Sequence, residues 1–147
     1  MGKKQIAVIH GPNLNMLGAR EPGTYGSYSL EDINEDLRRR AEESSVELQI
    51  FQSNHEGEMV DKIQDLSASC HALIINPAAY THTSVALRDA VLLLDVPVIE
   101  IHISNIYKRE SFRHKSMIAD VATGQISGLG PRGYVLALEA ALSIIGA

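Results

Sequence analysis

Three observations in the sequence predict a single α/β domain, residues 1–147, built on a parallel sheet. Short apolar runs at 6–9 and 72–75 suit strands covered on both faces, and 98–103 reads as a further strand. Stretches with apolar residues at helical spacing separate them, so strand and helix alternate from end to end. The 147 residues, 45% of them hydrophobic, are ample for one well-buried core and short for two.

Taken in order, residues 6–9 form the first buried strand. Ser29 reads as an N-cap with Asp32 three residues on, and Leu30, Ile33 and Leu37 follow at helical spacing. Val46, Leu48 and Ile50 alternate with polar residues, the period of a half-buried strand. Met59, Val60, Ile63 and Leu66 define a second amphipathic helix. Residues 72–75 form a buried strand stopped at Asn76-Pro77. A third helix is predicted over 85–94 and a fourth strand over 98–103. A short strand around Ile126 is followed by glycines, and Pro131 suits the first turn of a last helix that ends at Gly146. Five parallel strands with helices on both faces suggest a flavodoxin-like, three-layer order.

Composition narrows the partners. A net charge of -5 disfavours nucleic acid, because phosphate binding needs clustered Lys and Arg. Arg38, Arg39 and Arg40 form the one basic run, but Glu35, Asp36, Glu42 and Glu43 surround it, so it reads as a solvated helix face. Residues 1–5 lead straight into a strand without an apolar signal core, and apolar runs such as 91–94 are far too short to span a bilayer. A cytosolic protein with no membrane partner is expected. Cys70 stands alone, so no disulfide is expected; it reads as a small core residue at a helix end.

In open α/β sheets, ligands bind beyond the carboxyl ends of the strands, where strand order reverses. The polar residues obey that rule. The stretch from His10 to Tyr25 follows the first strand, is long for a connection and holds two Pro and three Gly, so it reads as a binding loop with a lid over about 18–27. Ser53, Asn54 and His55 follow the second strand, 76–84 the third and 102–113 the fourth. Asn13, Arg20, Tyr25, Asn76, His82, His102, Arg109 and Arg113 therefore converge on one edge.

Familiar motifs fit this edge poorly. Gly128-Leu-Gly-Pro-Arg-Gly133 matches G-x-G-x-x-G, but a dinucleotide site needs another strand after the helix with an acidic residue about 20 positions on; helix initiation and close packing account for these glycines better. No Walker A sequence is present, and a phosphorelay receiver would need acidic residues where this chain has His10 and Asn76. A metal site from His82, His102 and His114 lacks any H-x-x-x-H or HExxH helix, so no metal and no cofactor are expected.

Acid–base chemistry on an anionic small molecule remains. Strand alternation puts Glu100 and His102 on one face, where the carboxylate can orient and charge the imidazole as a general acid; a plain hydrogen bond filling a strand end is the alternative. Tyr25, in a polar loop between Gly23 and Gly26, is either a lid aromatic or a base. Its ordinary pKa near 10 suits a base at neutral pH only beside a cation, which Arg20 and Arg113 can supply; a depression of two units needs about 2.7 kcal/mol.

Six segments carry a resemblance: His-Gly-Pro-Asn-Leu-Asn from His10, Gly-Thr-Tyr-Gly from Gly23, Gln-Ser-Asn-His-Glu-Gly from Gln52, Asn-Pro-Ala-Ala-Tyr-Thr-His-Thr-Ser from Asn76, Glu-Ile-His-Ile-Ser-Asn from Glu100 and Arg-Glu-Ser-Phe-Arg-His from Arg109. Together they resemble the type II 3-dehydroquinate dehydratases over nearly the whole chain. The resemblance implies a lyase of the shikimate pathway or of quinate breakdown that eliminates water from 3-dehydroquinate through an enolate, without metal or Schiff base. It implies Tyr25 as base with Arg20 lowering its pKa, Asn13 holding the water that stabilises the enolate, and His102, oriented by Glu100, as acid. Asn76, His82 and Arg113 would bind ring hydroxyls, the amides of Ile103 and Ser104 the carboxylate, and Asp89 would reach a neighbouring subunit's site. It further implies a homo-oligomer of trimers assembled into a dodecamer. The rival reading, a flavodoxin-like binding module, needs neither base nor acid.

Overall fold

The computed structural model describes residues 2–18 and 28–147. Five strands, β1 (Gln5–His10), β2 (Glu47–Gln52), β3 (Ala72–Asn76), β4 (Val98–His102) and β5 (Gly124–Ser127), form one parallel sheet in the order β2-β1-β3-β4-β5. This is the flavodoxin-like order expected. Four α-helices connect or follow the strands: α1 (Leu30–Glu43), α2 (Glu56–Leu66), α3 (Val85–Leu92) and α4 (Arg132–Ile145).

Strand alternation distributes the apolar residues to two cores. Ile6, Val8, Ile74, Ile99 and Ile101 face α1 and α4, whose Leu37, Tyr134 and Leu138 are buried against them. Ala7, Ile9, Leu73 and Ile75 face the opposite way, toward Met59 and Ile63 of α2 and Leu87 of α3. Both faces of β1 and β3 are thus covered, which is why these strands read as unbroken apolar runs. Strand β2 lies at an edge, and its alternation of exposed and half-buried residues follows from that place.

Helix α1 starts at a full capping box. Ser29 Oγ accepts from the Asp32 amide at 3.1 Å and Asp32 Oδ2 accepts from the Ser29 amide at 2.9 Å. Its basic run is solvated as expected, with Arg38 paired to Glu31 and Arg39 and Arg40 to Asp36.

Beyond shifts of one residue at the ends of β1, β3 and β4, three boundaries differ from those predicted. Val46 does not belong to β2; its amide donates to the Ala41 carbonyl at 3.0 Å and the Ser45 amide to Glu42 at 3.0 Å, so both close α1 in a Schellman turn. Helix α3 ends at Leu92 and not at 94, because Leu93 and Leu94 donate to Ala90 and Val91 three residues back, the tighter pattern that precedes Asp95 and Pro97. Pro131 is the N-cap of α4 and not a residue of its first turn, although its φ of -61° presets the helical direction.

Candidate active site

Strand order reverses between β1 and β3, and the two chains part there at close quarters. The Gly11 amide donates to the Asn76 carbonyl at 2.7 Å. A Cβ at Gly11 would lie 2.5 Å from the Pro77 carbonyl oxygen. Only glycine lets the two loops run this close. Beyond Gly11, Asn13 takes a left-handed conformation (φ 69°) and its amide donates to Asn54 Oδ1 at 2.9 Å, tying the loop after β1 to the end of β2.

An open pocket of about 200 Å³ lies over this crevice. Asn13, Asn76, His82, His102, Ile103, Ser104, Arg109 and Arg113 all line it. Every described residue expected at the strand edge is therefore there. Two expected residues, Arg20 and Tyr25, lie outside the described residues, as does nearly all of the lid segment. Glu100 is fully buried beneath His102, and Asp89 is exposed on α3, away from this pocket.

The Glu100–His102 pair is the electrostatic centre. Both are buried, and His102 Nε2 lies 2.5 Å from Glu100 Oε2. The carboxylate also accepts from Thr81 Oγ1 at 2.8 Å and from Ser116 Oγ at 2.9 Å. Ser116 Oγ itself accepts the amides of Ile118 and Ala119 at 3.1 and 3.0 Å, which turns its proton toward Glu100. Burial alone would raise the Glu100 carboxyl; the hydrogen bond and charge of His102, with the two hydroxyls, outweigh it and leave the group below the usual carboxylate range. An ionised carboxylate only accepts, so Nε2 of His102 carries a proton and Nδ1 is the nitrogen left for other partners.

His82 runs nearly parallel to His102, with ring centroids 6.4 Å apart. Its Nδ1 donates to the Lys115 carbonyl at 2.9 Å. Burial, then the charges of His102 and Arg113, bring its pKa below the ordinary value against the pull of that hydrogen bond. Arg113 and Arg109 approach one carboxylate, Glu110, at 3.2 and 3.8 Å, which keeps two guanidinium groups at the pocket mouth. His114 turns elsewhere: its Nε2 bonds the Arg109 carbonyl and its ring packs on Tyr107. Among the described residues, no three His, Cys, Asp or Glu side chains gather as a metal site.

The glycine motif serves packing. A Cβ on Gly133 would lie 2.6 Å from Ile101 Cδ1, so this glycine lets α4 seat on β4, while the amides of Gly128 and Gly130 donate to the carbonyls of His102 and Ile103 at 3.2 and 3.0 Å. The loop thereby fixes the backbone of two pocket residues.

Thr81, Ser116 and Asn54 were not singled out for these contacts by the sequence. Thr81 lies within the Asn76 segment and Ser116 just past the Arg109 segment, so proximity to a motif was the available signal. Their partners are set by folding and not by spacing.

Fold and site together define a flavodoxin-like α/β protein with a buried carboxylate–imidazole pair and two guanidinium groups at its strand-reversal crevice. The chain belongs to the class II dehydroquinase family, the type II 3-dehydroquinate dehydratases, which are hydro-lyases: the family model described as dehydroquinase class II matches residues 4–142. It is 57% identical over 141 residues to a 3-dehydroquinate dehydratase of Halothermothrix orenii, covering 96% of this chain and 95% of that one. A 3-dehydroquinate dehydratase of Francisella philomiragia is 56% identical over 140 residues, with 95% of each chain covered. The crystal structure of a type II dehydroquinase from Butyrivibrio crossotus superposes with a TM-score of 0.91 at 40% identity over 99% of both chains.

Proposed function

We propose that this protein dehydrates 3-dehydroquinate to 3-dehydroshikimate through an enolate, with a tyrosinate base and a histidine acid. The observation that carries the reading is the buried Glu100–His102 pair, whose imidazole lines a pocket that Arg109 and Arg113 also line.

The Tyr25 phenolate takes the proton from the carbon beside the ketone, and the electron pair moves onto the carbonyl oxygen. The enolate then expels the hydroxyl on the next carbon, His102 protonates it, and water leaves. Arg20 lowers the Tyr25 pKa, and Asn13 holds the water that stabilises the enolate oxygen. Asn76, His82 and Arg113 bind ring hydroxyls, and the amides of Ile103 and Ser104 take the carboxylate. Ionised Glu100 keeps the imidazole aimed, as a positioned acid requires.

An imine route finds no amine here, since no lysine lines the pocket among the described residues. Closure of the lid over 18–27 brings the base to the substrate and gates turnover. Assembly of trimers into a dodecamer, with Asp89 reaching a neighbouring site, and a cytoplasmic location complete the proposal.

The test is ultraviolet absorbance on 3-dehydroquinate, which rises as the conjugated enone forms. Wild type should turn over and Tyr25→Phe should lose nearly all activity while remaining folded. A flat trace with pure wild type would return the protein to the binding-module reading, and an active Tyr25→Phe would remove Tyr25 as base.

A further inference from the structure

A buried hydrogen-bonded chain behind the pocket has no part in the proton transfers. Asn34 of α1, His10 of β1, Tyr134 of α4 and Asn76 of β3 are 7, 0, 0 and 3% exposed. His10 and Asn76 are register partners at the carboxyl ends of β1 and β3, so their side chains leave the sheet on one face, toward α1 and α4. The contacts are His10 Nε2 to Asn34 Oδ1 at 2.8 Å, His10 Nδ1 to Tyr134 Oη at 3.0 Å and Asn76 Nδ2 to Tyr134 Oη at 2.9 Å.

The direction of every bond follows from one end. Asn76 Oδ1 accepts the Ala78 amide at 3.0 Å, so Nδ2 must be the atom that meets Tyr134. The tyrosine oxygen accepts that proton and donates its own to His10 Nδ1, and the imidazole, protonated on Nε2, donates to Asn34. Reversing the chain would turn the buried Tyr134 proton away from both of its described side-chain partners, because Asn76 Nδ2 cannot accept. The imidazole must then be neutral, and burial, opposed by the Asn34 bond, does bring His10 down to about 4. One Nδ2 hydrogen of Asn76 is spent on Tyr134. The second is the donor this pocket-lining residue has left.

We infer that Tyr134, His10 and Asn34 are positioning residues that lock the Asn76 amide so that it offers an N–H to the pocket, making this wall select an accepting oxygen of the substrate. The inference rests on the dehydratase reading for the identity of that oxygen, a ring hydroxyl. Tyr134 and His10 touch no substrate and act only through Asn76.

A double-mutant cycle separates this role from a merely structural one. kcat/KM for 3-dehydroquinate is measured for wild type, Tyr134→Phe, Asn76→Ala and the double variant, with calorimetric affinity for 3-dehydroshikimate as the readout where turnover is too slow. Tyr134→Phe should lower the readout about tenfold in the wild-type background, the worth of one hydrogen bond, and less than twofold when Asn76 is already alanine. Equal losses in both backgrounds, or no loss in either, would overturn the relay. If Tyr134→Phe does not fold, Asn34→Ala takes its place in the cycle with the same two outcomes. An inactive wild type would instead overturn the dehydratase reading, and with it the oxygen assigned to Asn76.

Discussion

Glu100 and His102 stand two residues apart on β4, and alternation carries both to one face, where Nε2 and Oε2 meet at 2.5 Å. Period-two geometry thus builds the pair from a single strand. The carboxylate is fully buried yet held by three further hydrogen-bonding contacts from Thr81 and Ser116, so it cannot turn away from the imidazole.

Replacing that charge while keeping its shape isolates its contribution. Glu100→Gln should leave the fold intact but remove the anion that aims His102, and kcat should drop by about 10²-fold or more, the range of a positioned proton transfer. Steady-state absorbance assays with a circular-dichroism control measure this. Near-wild-type kcat would mean that the pair is only a filled strand end.

Gly11 offers a test of the crevice. A methyl group there meets the Pro77 carbonyl at 2.5 Å, and backbone must move to relieve it. Gly11→Ala should cost about 1–3 kcal/mol, as overpacking does elsewhere, and should weaken substrate binding by parting the loops that carry Asn13 and Asn76. Denaturant titration and KM report the two effects separately.

Ser45 pays for the end of α1. It is exposed, with φ at 58°, in the left-handed position of the Schellman turn. Ser45→Gly should therefore stabilise the protein, by about 0.5–1 kcal/mol. A higher midpoint in urea with unchanged kcat is the expected result; a lower midpoint would show that the turn is not strained.

These residues also mark what a sequence can reveal. The capping box of Ser29 and Asp32 and the Glu100–His102 alternation are local, so spacing alone exposed them. The half-burial of β2 was readable too, since one-sided burial leaves a period of two, while its edge position comes from the sheet order. Ser45 was not, because serine carries no left-handed signature comparable to glycine, and the turn shifted Val46 out of β2. Thr81 and Ser116 meet Glu100 across 19 and 16 residues, and His10 meets Tyr134 across 124. Contacts of that range depend on sheet order and helix placement, and a tyrosine inside an amphipathic helix looks like any other core residue.

His10 makes stability depend on pH in a defined window. Its folded pKa is about 4 against 6.5 for the free imidazole, so between these values the unfolded chain binds a proton that the folded one refuses. Stability is therefore fully retained above pH 6.5 and is lost as pH falls toward 4, by about 3 kcal/mol at 1.36 kcal/mol per unit. His82, also lowered, adds to the loss with the same sign. Glu100, lowered from 4.5, adds its own loss only as pH falls below that value, so the interval from 6.5 to 5 reports mainly on the histidines. His10→Gln should flatten the dependence of the urea unfolding free energy on pH in that interval relative to wild type, even though its stability at pH 7 is lower. Parallel curves for the two proteins would show that His10 is not held neutral in the folded state.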